Sequence, residues 1–324
     1  VDSGLVTVWN GRLGPLEVCM EPVIDVHTHL GDILYPGGGS LIEKKGVRKA
    51  RIFDPISISE VLLHRDFGGG DTLYRLMGRW VTRAERARNF TATRENCRKS
   101  MDEAGVTYSA CMPIAPYLTF EDLRRAAQKD PGIIPFTSVD YTRAYDVASE
   151  LSAHVAAGAR GLKLHAAIQN VPLTSRETFA AVEAFAPHGL PVLFHCGYSS
   201  YYLEGERHKE NPSFSEIHYC RDLVKAFPRV SFIAGHAGIY QVGEVISMLR
   251  GFPNVSVDIS FQSPEKIRDL LNSFGPGRVM YGSDWPWGGR KTPVKTVKIA
   301  CRGDRALERK ILYENAAGLL KMEA

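Results

Sequence analysis

The segment His27-Thr28-His29 places two imidazoles two positions apart. At the end of a β-strand, residues i and i+2 point to one face, so both rings can reach one metal ion. Packing alone explains such a pair poorly. Asp25 is expected on the same face, one step deeper. Further polar groups close other apolar runs: Lys163 and His165 in Lys163-Leu-His165, His195 in Leu193-Phe-His-Cys-Gly197, His236 in Gly235-His-Ala-Gly238, and Asp284 in Tyr281-Gly-Ser-Asp-Trp-Pro286. A lysine inside a protein is costly unless paired, coordinated or chemically altered. Imidazole, carboxylate and modified lysine all suit Zn²⁺ and related divalent ions. The predicted chemistry is that of a metal centre. Cys196 follows His195 and should point the other way, which argues against a thiol nucleophile there.

Eight apolar, β-branched runs read as strands: 22–29, 106–114, 133–139, 159–166, 190–196, 230–237, 255–260 and 279–284. Helical periodicity lies between them, as at 120–129 and 144–157. Thr174-Ser-Arg-Glu177 predicts a capping box opening another helix. Gly105, Gly158 and Gly189 suit left-handed helix ends. Val192-Leu-Phe and Val230-Ser-Phe-Ile have the near-continuous apolar character of parallel strands buried on both faces. The expected fold is an α/β, (β/α)₈ TIM barrel, whose active site forms at the C-terminal strand ends. An open doubly wound sheet would want G-x-G-x-x-G after its first strand, and none is present.

Residues 31–90 predict a long insertion, or lid, within a single domain of residues 1–324. Its glycine runs, Gly37 to Gly39 and Gly68 to Gly70, lack the Gly-Lys-Ser/Thr of a phosphate cradle. They read as loop. Lys44, Lys45, Arg48, Lys49 and Arg51 read as a solvated basic face, with recognition of an anionic substrate as the sharper alternative. His64, His154 and His188 are expected at the surface.

Among 324 residues, 40 Lys+Arg against 36 Asp+Glu leave a net charge of +4. So small an excess gives no electrostatic footprint for nucleic acid. Composition is that of a soluble globular protein, 44% hydrophobic and 23% charged. No apolar stretch approaches the ~20 residues of a membrane helix. Cys19, Cys97, Cys111, Cys196, Cys220 and Cys301 form no C-x-x-C pair and are expected reduced, as in a cytoplasmic protein. The opening Val1-Asp-Ser-Gly4 carries no signal-peptide pattern.

The chain resembles the amidohydrolase superfamily, in the branch holding aminocarboxymuconate-semialdehyde and γ-resorcylate decarboxylases. Ile24-Asp-Val-His-Thr-His29, Gly161-Leu-Lys-Leu-His165, Phe194-His-Cys, Gly235-His-Ala-Gly238, Val257-Asp-Ile-Ser260 and Gly282-Ser-Asp-Trp-Pro286 carry the resemblance, and Asn315-Ala-Ala-Gly-Leu-Leu320 is similar to the branch's closing helix. The resemblance implies that His27, His29, His195 and Asp284 bind a metal. It implies His236 beside them, as catalytic acid/base with one metal or as a ligand with two. Lys163 stands where binuclear members carry a bridging carboxylated lysine. The cofactor implied is one or two divalent ions, Zn²⁺ first, with Mn²⁺ or Fe²⁺ as alternatives. The family's habit of dimerising implies a homodimer.

The expected reaction is hydrolysis of an amide, ester, lactone or thioester in a small organic substrate, with Asp284 and His236 as the catalytic pair. Non-oxidative decarboxylation of a small carboxylic acid at a mononuclear site is the alternative. A third reading is a metal-stabilised barrel that binds a ligand without turnover. His165, Arg143, Tyr198, Arg207 and Trp285 are the expected substrate contacts, the arginines suiting an anionic substrate. Neither nucleic acid nor membrane is an expected partner.

Overall fold

A computed structural model describes residues 21–64, 72 and 76–322. Cys19, the Gly68 to Gly70 run and the side chain of His64 lie outside the described residues.

All strands are parallel. They are β1 (Ile24–Thr28), β2 (Tyr108–Cys111), β3 in two segments (Ile133–Pro135 and Thr137–Ser138), β4 (Leu162–Leu164), β5 (Val192–Phe194), β6 (Phe232–Ala234), β7 (Val255–Asp258) and β8 (Val279–Met280). The ladder breaks at Phe136, after Pro135, which has no N–H to give. Phe136 bridges the gap by donating its N–H to Cys111 O at 3.0 Å. The ring closes between β1 and the end of β8, where Val26 N–H donates to Tyr281 O (3.1 Å) and Thr28 bridges to Trp285. The order β1 to β8, with helices between strands, is a (β/α)₈ barrel.

The strands are shorter than their apolar runs suggest, because each run continues past the ladder into the site. Helices fall where the periodicity places them, at Phe120–Ala127 and Val147–Ala156. The capping expectation needs correction: Ser175, not Thr174, caps Arg176–Phe185 by accepting from Thr178 N–H at 3.1 Å. The capping box belongs instead to Thr119 and Asp122 at the start of Phe120–Ala127. His154 is half-buried behind the barrel, where its Nδ1 meets Thr137 Oγ1 at 2.7 Å.

Two apolar layers hold the strands. Inside, Ile24, Val26, Met112, Phe136, Leu193, Ile233 and Met280 meet Ala316 and Leu320 at the barrel's floor. Outside, residues such as Leu162, Leu164, Val192, Phe194 and Phe232 face the helices. Burying side chains of this size contributes roughly 1.5–3 kcal/mol each. The free cysteines among the described residues are buried, and Cys196 Sγ lies 3.7 Å from Cys220 Sγ on the helix side.

The segment after β1 includes helices Pro55–His64 and Gly78–Asn89. A buried ion cluster fastens them to the loop after β8. Arg88 donates to Asp54 Oδ2 (3.0 Å), Ser57 Oγ (2.8 Å) and Trp287 O (2.9 Å), while Glu60 accepts from Gly289 N–H. Burial opposes charge on Asp54, but Arg88 and Lys49 hold its carboxyl at about 2. Arg51, Lys44, Lys45 and Arg48 are exposed.

Candidate metal centre

A bulge at the end of β1 sets the site's first two ligand candidates. Asp25 pairs with Ser109 and Thr28 with Cys111, so three steps on β1 match two on β2. The extra residue resets the in–out alternation. Ile24 and Val26 face the barrel interior, and so does His27, while Thr28 turns outward to give its hydroxyl to Ala110 O at 2.8 Å. Asp25 is consequently on the opposite face from His27, contrary to the simple alternation. It pairs there with Arg290 (3.0 Å) and accepts from Ser283 N–H (2.9 Å), all fully buried.

The strand ends then bring a ring of donors together. Asp284 Oδ1 lies 3.3 Å from His29 Nε2 and 3.7 Å from His27 Nε2, and its Oδ2 lies 3.9 Å from His236 Nε2. Lys163 Nζ approaches His27 Nε2 at 2.7 Å. His236 stacks on His27, with centroids 4.5 Å apart. Backbone fixes these groups: Asp284 N–H donates to His27 O (2.8 Å), and His29 N–H to Trp285 O (2.6 Å). The segment carrying His236 turns through positive φ at His236 (58°), Ala237 (47°), Gly238 (80°) and Ile239 (54°). Gly235 and Gly197 make room beside it. A Cβ at Gly235 would stand 2.9 Å from Phe194 O, and one at Gly197 2.5 Å from Gly238 O.

Asp258 organises the cluster, although sequence reasoning gave it no role. It is fully buried at the end of β7. Its Oδ2 accepts from His27 Nδ1 (2.9 Å) and from the backbone N–H of His236 (3.0 Å), and its Oδ1 from Ser260 N–H (3.0 Å). A proton held on His27 Nδ1 leaves the Nε2 lone pair aimed at the centre. The available signal was Asp258 itself, a carboxylate closing the apolar run Val255-Ser-Val.

His195 and His165 sit beside this group, not within it. Their rings stack at 4.3 Å with planes 8° apart. His195 Nε2 meets Gly197 O at 3.0 Å, and Tyr201 OH lies 3.3 Å from both ring nitrogens. His165 caps the short helix after β4, its Nδ1 accepting from Ile168 N–H.

Burial dominates the electrostatics. It pushes His27, His29, His165 and His236 well below the usual imidazole range, and His195 down to about 3. It also brings Lys163 down to about 7, against the pull of Asp284 and Asp258, and pushes Asp284 well up. Neutral imidazoles are the form that ligates a cation. A buried carboxylate with too little counter-charge is stabilised by one. His236 Nδ1 and Asp284 Oδ1 are buried without a hydrogen bond. The sets His27, His29, Asp284 and His27, His236, Asp258 each gather donor atoms within 4.8 Å. The residues present therefore fit a divalent cation.

The expected substrate contacts divide. Tyr198 and Arg207 line a cavity of about 620 Å³ together with Arg79, Glu85, Tyr240 and Gln241. Arg143 instead pairs with Asp140 (3.2 Å) and with Glu150 beside a smaller, separate cavity. Trp285 is buried with the Arg290 guanidinium 4.7 Å over its ring, on the side where Arg290 meets Asp25 and Cys97. Trp287 takes the inner position, edge-on to Tyr201 at 5.3 Å. Glu85, on the helix Gly78–Asn89, was not singled out in the sequence because its neighbours give it no strand-end position.

The Amidohydrolase family model matches residues 24–322. No curated protein matches the chain. Among solved structures, a variant of 5-carboxyvanillate decarboxylase from Novosphingobium aromaticivorans, with bound manganese, is similar over 94% of this chain and 98% of its own, at 16% identity and a TM-score of 0.64. The 2,6-dihydroxybenzoate decarboxylase from Rhizobium is similar over 94% and 100%, at 14% identity and 0.60. A probable 2-pyrone-4,6-dicarboxylic acid hydrolase from Acinetobacter baumannii, with citric acid bound, is similar over 93% and 99%, at 14% identity and 0.55. At these identities the likeness is one of fold.

Proposed function

The chain belongs to the amidohydrolase family, and from that premise we propose a metal-dependent hydrolase that cleaves an acyl bond of a small organic substrate. His27, His29 and Asp284 hold the cation, with His195 and His236 as further ligands. The observation that carries the hydrolytic reading is Lys163, buried with its Nζ 2.7 Å from His27 Nε2 and brought down to about 7. A neutral amine adds CO₂ and releases a proton, becoming a carbamate whose oxygens can ligate. That modification suits a binuclear centre. Zn²⁺ best fits this donor set, and Mn²⁺ or Fe²⁺ also suit it.

A bound divalent ion polarises a carbonyl oxygen and lowers the pKa of water from ~16 towards ~7. Asp284, held by its backbone bond to His27 O, takes the proton of the attacking water. Asp284 or His236 then returns a proton to the leaving group, a transfer worth roughly 10²–10⁴-fold. Asp258 keeps the His27 tautomer fixed and seats the His236 backbone. Thr82 Oγ1 ties helix Gly78–Asn89 to the loop after β5 at Ser200 O (3.2 Å), and Tyr202 OH ties that loop to the segment after β1 at Leu34 O (2.7 Å). In this reading residues 31–90 serve as a lid of one domain and exclude water from the reaction.

The likeness in fold to two decarboxylases favours a second reading, loss of CO₂ from a small carboxylic acid at one metal. Elemental analysis separates the two, on protein purified without chelator and with bicarbonate. Two metals per chain, falling to one in Lys163→Ala with loss of ester, lactone or amide cleavage, support hydrolysis. One metal in both proteins, with CO₂ released from hydroxybenzoic acids, supports decarboxylation and overturns the hydrolase.

A further inference from the structure

Most arginines near the barrel mouth are already paired. Arg86 meets Glu206 at 2.9 Å, and Lys209 reaches the same carboxylate at 2.7 Å. Arg88 is enclosed by Asp54 and Glu60. Arg79 and Arg207 differ. Among the described residues neither guanidinium has an ion-pair or hydrogen-bond partner, and both line the 620 Å³ cavity. Arg79 comes from the helix Gly78–Asn89, and Arg207 from the turn Glu204–Lys209. That volume lies within the ~300–1,000 Å³ typical of small-molecule sites.

The cavity's wall continues in sequence from the metal centre. Tyr198 to Ser200 in its wall directly follow Gly197, whose carbonyl holds His195. Tyr240 and Gln241 follow the positive-φ segment that carries His236. A charge on Glu85, in the inner wall, is felt at Asp284 and Tyr201. Two carboxyls face the arginines. Burial and the neighbouring Glu210 push Glu85 up to about 8, which favours its neutral form. Glu244 accepts from Gln241 Nε2 at 3.1 Å. Arg79 and Arg207 therefore face Glu244 and a carboxyl held towards its neutral form.

Building on the metal-site reading, we propose that the substrate carries a carboxylate remote from its reacting carbonyl, held by Arg79 and Arg207. The metal ligands take the reacting end, and the lid helix and the turn take the far end. An arginine fork pairs bidentately with a carboxylate, which gives orientation as well as attraction.

Matched acids test this by isothermal titration on zinc-loaded protein, with terephthalate and benzoate as probes. Terephthalate should bind about tenfold more tightly than benzoate, the gain expected of one partly exposed charge-assisted contact. Replacing both arginines, Arg79→Gln and Arg207→Gln, should bring terephthalate to the benzoate value while leaving metal content and benzoate binding unchanged. Equal affinities, no binding of either acid, or a preference that survives the double substitution would overturn the proposal. A preference that is present in a protein without hydrolytic activity leaves this inference standing and removes the hydrolase reading.

Discussion

At the scale of single residues, Asp258 governs more of the centre than any ligand does. It fixes the tautomer of His27 and the backbone of His236 through two bonds to one oxygen. Asp258→Asn should lower metal affinity by about 10–100-fold, as loss of a ligand-orienting carboxylate does, and competition with a chelating dye measures it. Glu85 makes a different prediction. Its folded pKa of about 8 exceeds the ordinary 4.5. Between those values the native state keeps a proton that the unfolded chain has lost, so stability falls as pH rises through that window. Glu85→Gln should flatten this fall and gain a few kcal/mol over wild type between pH 5 and pH 9. Parallel melting curves at the two pH values check it.

At the scale of elements, the sequence made the strand ends legible and the bulge illegible. His27, His29, Lys163, His195, His236 and Asp284 stand out because each closes an apolar run. Simple alternation misplaces Asp25, because the register slip depends on which residue of β2 faces which residue of β1, and a single strand's pattern carries no such information. The surroundings of Arg143 and Trp285 were hidden for a related reason. Their side chains find local partners, Asp140 and Arg290, that spacing does not show. The ion cluster joining helices Pro55–His64 and Gly78–Asn89 to the loop after β8 was equally hidden, since Asp54, Glu60 and Arg88 look like surface charges in the sequence. Arg88→Met should cost about 1–3 kcal/mol, because it leaves Glu60 without its cation and Asp54 with Lys49 alone, and denaturant unfolding checks this. Gly197→Ala should also destabilise, by at least ~1–3 kcal/mol. Its φ of 102° and the 2.5 Å approach to Gly238 O leave a Cβ no room.

At the scale of the whole molecule, the buried cluster couples the cation to the fold. Buried imidazoles and an ill-compensated Asp284 cost stability that a divalent ion recovers. Zinc at about 100 times its Kd should add roughly 2.7 kcal/mol, and a chelator should remove it. Calorimetry of metal-free and zinc-loaded protein checks this as a rise in Tm of several degrees. No helix among the described residues is long and apolar enough to cross a membrane. The barrel itself was legible from eight apolar runs. Its seam was not, since closure depends on hydrogen bonds between the first and last strands.

That seam has a consequence for biosynthesis. The bonds His29 N–H to Trp285 O and Asp284 N–H to His27 O join the two ends of the ring at the metal centre itself. The histidines leave the ribosome before their partner carboxylate, Asp284, which follows 255 to 257 positions later. At translation rates of ~5–20 residues per second, that delay is on the order of 10–50 s. Throughout it the nascent chain carries a His-x-His pair without the centre that Asp284 completes. A cation captured in that interval meets a two-point, exchangeable site, and tight retention begins only when the ring shuts. With the proposed ligands, metal choice would be deferred to the finished molecule, where geometry rather than order of arrival would decide which ion stays.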